Sequence, residues 1–141
     1  MQINSLKVEY ALRALVELAS CEGCRQARDL ASEWDIPHAY LDRLLITLRN
    51  AGLLYSLRGP QGGHGLLKAA CEMTVLDVWE ALEGPLASDP FWGYGHFSAA
   101  ERSVLPAVWG EITAGISDLL RSITIEELVR RQNQLGRSQA S

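Results

Sequence analysis

Four glycines and a proline crowd into eight residues of this 141-residue chain, Arg58-Gly-Pro-Gln-Gly-Gly-His-Gly65. An arginine set among glycines suits anions, because its planar guanidinium stays charged and donates in a fixed fork. A nucleotide-type phosphate loop would close on Gly-Lys-Ser/Thr and lead into a helix. This run does neither. It reads instead as a tight hairpin tip, with Gly59, Pro60, Gly62 and Gly63 in the turn and Arg58 at its base or edge. With no side chains to hold the backbone away, such a tip can come close to a nucleic-acid duplex. An arginine there can enter a narrow minor groove, where the potential is most negative. The alternative is a solvated arginine on a loop.

The remaining reactive residue types are sparse. Cys21 and Cys24 form a CxxC pair, and Cys71 makes the count odd. A structural metal site wants four ligands, and His38, His64 and His96 stand at no ligand spacing to these thiols. Two readings stay open for Cys21 and Cys24: plain thiols in a reducing compartment, or a redox pair whose oxidation shifts the neighbouring helices. No paired carboxylates, nucleophile–base set or cofactor motif occurs at informative spacing, so an enzyme is not expected.

The elements that must position these residues follow from apolar spacing. Val8, Ala11, Leu12, Leu15, Leu18 and Ala19 recur at helical intervals and predict a helix over about 5–20. Ala27, Leu30, Ala31 and Trp34 make a second, short stripe, interrupted at Asp35-Ile36-Pro37 because the residue before proline avoids helical angles. Pro37 can open a third helix that buries Leu41, Leu44, Leu45 and Leu48 and stops at Gly52. Its other face offers His38, Ala39, Asp42, Arg43, Thr47 and Arg49. Two short helices joined by a tight turn, the second polar outside, form a helix-turn-helix pattern. Apolar runs Leu53–Leu57 and Leu66–Leu67 then flank the glycine cluster as hairpin strands.

A fourth helix is expected from the N-cap Thr74 to about Leu82. The segment Phe91–Phe97 is irregular and aromatic. The longest apolar stripe comes next: Leu105, Val108, Trp109, Ile112, Ile116, Leu119, Leu120 and Ile123. Ser98 with Glu101 resembles a capping box, but a helix begun there would contain Pro106, so it is either kinked or preceded by a short turn. Thr124 with Glu127 is a second capping box opening a last helix, and the tail after 135 is expected to fray.

Composition sets the class. Hydrophobic residues make up 48% and charged residues 21%, as in a folded domain. No apolar run reaches membrane-span length and no secretion signal is seen at the start, so a cytoplasmic location is expected. Net charge is −4, with +1 on residues 1–70 and −5 on the rest. If either end meets a polyanion, it is the first.

The segments "EYALRALVELA", "IPHAYLDRLLITLRNAGLLYSLRGPQGGHGLLKA", "MTVLDVWEALEGPL" and "SITIEELV" are similar, in order and over nearly the whole chain, to the Rrf2 family of bacterial transcription regulators, the IscR, NsrR and CymR group. The resemblance implies a mainly α fold with a small β-hairpin wing: a winged helix-turn-helix carrying a long C-terminal dimerisation helix. It implies a homodimer, a repressor or other regulator, on a partly palindromic operator in double-stranded DNA. The divisions expected are a DNA-binding domain over 1–84, a loop over 85–104, a dimerisation helix and last helix over 105–135, and a tail over 136–141. Leu105, Val108, Trp109, Ile112, Ile116, Leu119 and Leu120 are the expected dimer interface, with ordinary intramolecular core as the alternative.

Residues at the start of a recognition helix reach base edges first. Here they are His38, Ala39, Tyr40, Asp42 and Arg43. A carboxylate among phosphates finds its natural donor in the cytosine amino group, and relatives similar at this place carry an acidic residue used for discrimination. Asp42 takes that role, or pairs with a neighbouring arginine on the helix. Ala39, Tyr40 and Arg49 are phosphate candidates through backbone N–H, hydroxyl and charge. Tyr40 can equally be half-buried core, and Arg28 either touches phosphate or is merely exposed. The family uses the arginine of its "RG" step in the minor groove, and Arg58 matches it.

Many members hold an iron–sulfur cluster on three cysteines between the fourth and the long helix. Residues 85–106 contain no cysteine, and the family's last cluster cysteine and its histidine fall at Ser103 and Pro106. The resemblance therefore implies no cluster here. Glu9 matches a place where some relatives aim a carboxylate at the cluster; without the cysteines its role is structural or solvent-facing. Phe91, Trp92, Tyr94, His96 and Phe97 replace the cluster loop, either plugging that space or lining a pocket for a small effector. Two further readings are kept: regulation by a small ligand or by thiol oxidation, and a protein-interaction module docking on a metabolic enzyme.

Overall fold

The computed structural model describes residues 5–21, 23–86 and 104–140. Helix α1 (Leu6–Ser20) begins where Ser5 Oγ accepts from the Val8 N–H at 3.4 Å. The same hydroxyl donates to Glu83 Oε1 at 2.6 Å, which ties the start of α1 to a distant helix end. Helix α2 (Ala27–Trp34) stops because Asp35 adopts the left-handed conformation, φ 53° and ψ 48°, which a short polar side chain tolerates. Helix α3 (His38–Asn50) follows Pro37, as expected. Its end is closed by Gly52, at φ +83°, and by the Leu53 N–H donating to the Leu48 carbonyl at 3.0 Å.

The wing pairs β1 (Leu54–Leu57) with β2 (Gly63–Leu66), antiparallel, with Leu54 opposite Leu66 and Leu57 opposite Gly63. This corrects the expected second strand at Leu66–Leu67. Gly63, His64 and Gly65 are strand, not tip, so only 58–62 turn. Glycine pairs poorly by propensity; the partner strand and the loop beside it impose the extended form.

Helix α4 (Val75–Glu83) carries a full capping box, Thr74 Oγ1 with the Asp77 N–H at 3.1 Å and Asp77 Oδ2 with the Thr74 N–H at 3.0 Å. Helix α5 (Leu105–Ser122) opens with Pro106 in its first turn, where no amide hydrogen bond is lost, so no kink is needed. The Ser98–Glu101 box and the aromatic run Phe91–Phe97 lie outside the described residues. Helix α6 (Ile125–Ala140) runs past the expected end at 135, so the anticipated frayed tail is helical to Ala140. At its start Thr124 Oγ1 accepts from the Glu127 N–H at 3.1 Å. Glu127 binds Arg130 and Arg131 and does not complete the second capping box.

Thr74 and Thr124 face each other in a β-bridge; Val75 N–H meets the Ile123 carbonyl at 2.9 Å and Ile125 N–H the Met73 carbonyl at 2.8 Å. Ile125 is thereby fully buried with Leu15, Leu30, Leu41, Leu45, Leu48, Leu54 and Val78. Leu128 and Val129 of α6 pack on the same core. Helix α6 thus packs into the winged-helix core, although it follows α5 in the chain. Helix α5 buries no residue fully and sits beside α4.

Candidate nucleic-acid interface

Helix α3 presents its first turn to solvent because leucines at 41, 44, 45 and 48 commit the opposite face to the core. His38, Ala39 and Arg43 are exposed there, and Asp42 is half-buried one turn beyond His38. Asp42 forms no ion pair with Arg43 or any other described residue. Arg43 lies over the Tyr40 ring at 5.9 Å, and Tyr40 meets Tyr10 edge-on at 5.8 Å. Tyr40 is thus half-buried, partly a packing residue between α3 and α1.

The wing stands across from this turn. A cleft of about 300 Å³ separates them, lined by Gln26, Ala27, Arg28, His38, Asp42, Gly59, Gly62, Gly63 and His64. The structure thus brings Arg28, His38, Asp42 and the wing glycines together. Arg58, at the wing tip, is exposed. Arg49 sits at the far end of α3, where it donates to Ser56 Oγ at 3.2 Å and braces the helix against β1.

Three of the wing glycines are required by packing. A Cβ on Gly62 would strike the Leu57 carbonyl, and one on Gly63, at φ +141°, the Arg25 carbonyl. Gly65 lies under the Tyr55 ring.

Sequence reasoning missed the tether that orients the wing. Arg25 pairs by backbone with His64, at 3.0 and 2.7 Å, adding a third short member to the hairpin. Gln26 Nε2 donates to the Pro60 carbonyl at 3.4 Å. A single bridging residue carries no period-2 pattern, so no signal in the sequence marks it. The Arg25 side chain turns away to Glu33 at 2.5 Å and Glu17 at 3.9 Å, and the Glu33 hydrogen bond raises its proton affinity further. Ser56 and His64 were also missed.

His64 is 9% exposed, and its Nδ1 has no hydrogen-bond partner. Burial holds its pKa below the ordinary histidine value; Asp42 pulls it up and Arg49 pushes it down.

Cys21 and Cys24 are half-buried on the loop before α2: Arg25 donates to Cys21 Sγ at 3.5 Å, and the Cys24 thiol contacts the Tyr55 hydroxyl at 3.5 Å. Cys71 is exposed elsewhere. Among the described residues no three His, Cys, Asp or Glu side chains come together as metal ligands. Glu9 is exposed and pairs with Arg13 at 3.0 Å, a structural contact.

On α5 the seven expected interface residues divide. Leu105, Val108, Trp109, Ile112 and Leu119 are exposed, Leu119 by 63% and Ile112 by 41%. Ile116 and Leu120 pack instead on Val8, Leu76, Trp79 and Leu86 of their own chain. Helix α5 thus uses one edge inward and shows an apolar edge outward.

The profile of the Rrf2 family, described as an iron-dependent transcriptional regulator, matches residues 4–131. The HTH-type transcriptional regulator IscR of Photorhabdus laumondii is 34% identical over 137 residues, covering 96% of this chain and 83% of that one. Among solved structures, CymR, the global cysteine regulator of B. subtilis, superposes with a TM-score of 0.76 at 31% identity, over 93% of this chain and 98% of that one. IscR of T. potens gives 0.74 at 28% identity, over 93% and 88%.

Proposed function

This chain belongs to the Rrf2 family of HTH-type transcriptional regulators, and we propose that it works as a homodimeric repressor on a partly palindromic operator, without an iron–sulfur cluster. It is a regulator of transcription and not an enzyme. One observation carries the reading of the site: the first turn of α3 and the glycine-built wing flank one open cleft, with Arg28, His38 and Asp42 on one wall and Arg58 at the wing tip beyond.

That spacing suits a duplex. The first turn of α3 enters the major groove, and Arg58 reaches the minor groove on the other side of the backbone. Asp42 reads a base edge. Arg28, Arg43 and Arg49 supply charge along the phosphates, with the Ala39 amide and the wing amide of Gly59 as donors. The outward apolar edge of α5, with Val108, Ile112 and Leu119, supports pairing of two copies. The two heads then meet half-sites about one helical turn apart.

The absence of cysteine from 85–106 supports the cluster-free reading. No helix among the described residues is long and apolar enough to cross a membrane; with DNA as the partner, the cytoplasm is the proposed place of work. Genomic fragments selected by purified protein, then footprinted, test the reading. A protected, partly symmetric site occupied by a dimer is expected. No preference over bulk competitor DNA sinks it, and a brown protein with visible absorption sinks the cluster-free part.

A second reading rests on the position of the CxxC. Cys21 and Cys24 lie on the loop whose Arg25 pairs with the wing. Their oxidation to a disulfide would pass two electrons and two protons to a peroxide, which becomes water, and would pull on that loop. Operator affinity that changes on peroxide treatment in the native chain, but not in a Cys21→Ser, Cys24→Ser variant, is the outcome this reading requires.

A further inference from the structure

His64 anchors the wing through its backbone, but its buried side chain has no part in the reading above. The residue lines the cleft between α3 and the wing, its buried Nδ1 lacks a partner, and its backbone is fixed by two hydrogen bonds to Arg25 while it stands opposite Ser56 of β1. A buried nitrogen without a hydrogen bond costs stability, and a position able to keep one calls for an explanation.

The cleft has a definite place on a duplex. It lies between the element proposed for the major groove and the element proposed for the minor groove. What separates those grooves is one sugar–phosphate strand, so a backbone phosphate passes through this space. Arg28, His38 and Gln26 offer donors at its wall. Asp42 lines the same cleft, and an incoming phosphate there faces a like charge that costs binding energy unless a proton arrives.

We propose that His64 is a proton-linked DNA-binding residue: as a backbone phosphate enters the cleft opposite Asp42, the imidazole takes up a proton and offsets the two negative charges. This rests on the DNA-binding reading above and adds a residue and a pH dependence to it.

The groups that face His64 set the sign. From α3 come Asp42, which favours the protonated ring, and Arg49, which opposes it; His38 shares the cleft. From α2 comes Arg28. From the loop before α2 comes Arg25, whose guanidinium is committed to Glu33. From β1 comes the uncharged Ser56, which stands opposite His64 and accepts from Arg49. Burial is the largest influence and keeps the free ring neutral near pH 7. A phosphate adds negative charge beside it and raises its proton affinity in the complex. A group whose pKa is higher bound than free makes binding tighter as pH falls through the bound value, and the gain is complete below the free value.

The test is affinity for a footprinted operator fragment at constant salt, from about pH 8 to about pH 5.5, the range across which histidine titrates. The native chain should tighten as pH falls, by up to about tenfold per pH unit, the limit for one proton. His64→Gln should be flat, His38→Gln should keep the rise, and Asp42→Asn should move the rise to lower pH. A duplex with a neutral methylphosphonate at the phosphate facing the cleft should also lose it. Because His64 is buried, a proton-resonance titration of its ring in the native chain, free and bound to DNA, gives a reading independent of any variant, and the bound pKa should be the higher. A pH-independent affinity, a rise kept by His64→Gln, or an equal ring pKa free and bound would overturn the proposal while leaving operator binding intact. Failure to bind any fragment would overturn both.

Discussion

Arg25 and His64 exchange both backbone hydrogen bonds, at 3.0 and 2.7 Å, across 39 positions of sequence that include the whole recognition helix. The wing is therefore not a free hairpin. Its returning strand is anchored to the loop that enters α2, so the angle between α3 and the wing is set by main-chain bonds and not by side-chain contacts alone. In the proposed complex, where the two elements meet two grooves at once, this bond pair sets the spacing between them.

Gly63→Ala should break that anchor. The added methyl strikes the Arg25 carbonyl, and φ at +141° strains any other residue. A loss of about 1–3 kcal/mol is expected, read as a lowered urea midpoint with an unchanged slope. An alanine variant as stable as the native chain would mean that the Arg25–His64 pairing is not kept in solution.

Arg58→Ala leaves the fold alone, because the side chain is exposed and forms no ion pair with a described residue. Operator affinity should fall, and the dependence of log affinity on log salt should lose about 0.9, one phosphate-region charge. Mobility shifts at several salt concentrations measure both. Unchanged affinity removes Arg58 from the interface.

Asp42→Ala should act on choice more than on strength. The carboxylate has no ion-pair partner among the described residues, so its removal relieves repulsion from phosphates while deleting the proposed base contact. Discrimination at one base position should drop by about 1–3 kcal/mol, while affinity for unrelated DNA holds or rises. A selection experiment returning the same base preferences as the native chain would contradict this.

Ile112→Glu combined with Leu119→Glu places two charges on the outward edge of α5, away from the inward Ile116 and Leu120. Sedimentation should show a monomer with native helix content, binding its operator about 10²-fold more weakly for want of a second head. A dimer that survives the double change would place the interface on another surface.

Local chemistry made much of this legible in advance. Leucines at 41, 44, 45 and 48, the proline before His38 and the glycine after Ala51 mark α3 to within two residues, since a stripe, an opening and a stop all lie within one helix length. Thr74 marked α4 for the same reason. The misreadings came where a distant segment decided the outcome. Glycines read as a tip became a strand because β1 and Arg25 supply partners. Thr124 formed half a capping box because Glu127 found arginines nearby. Helix α6 joined the core through the Thr74–Thr124 bridge, a contact between segments 50 positions apart.

The amino-acid order alone settled which segments are helical, which faces are greasy, that an arginine rides on a glycine-rich turn, and that residues 85–106 bring no thiolate for iron. These depend on neighbours within a turn or two, or on composition, and need no folded chain. Only the folded arrangement decided that Asp42, His38, Arg28 and His64 share one cleft, that a buried imidazole has a nitrogen without a partner, and that α5 shows one apolar edge outward while spending the other on its own core. Those facts arise from contacts between residues far apart in the chain, and such contacts exist only after the hydrophobic core has closed and fixed which surfaces face each other.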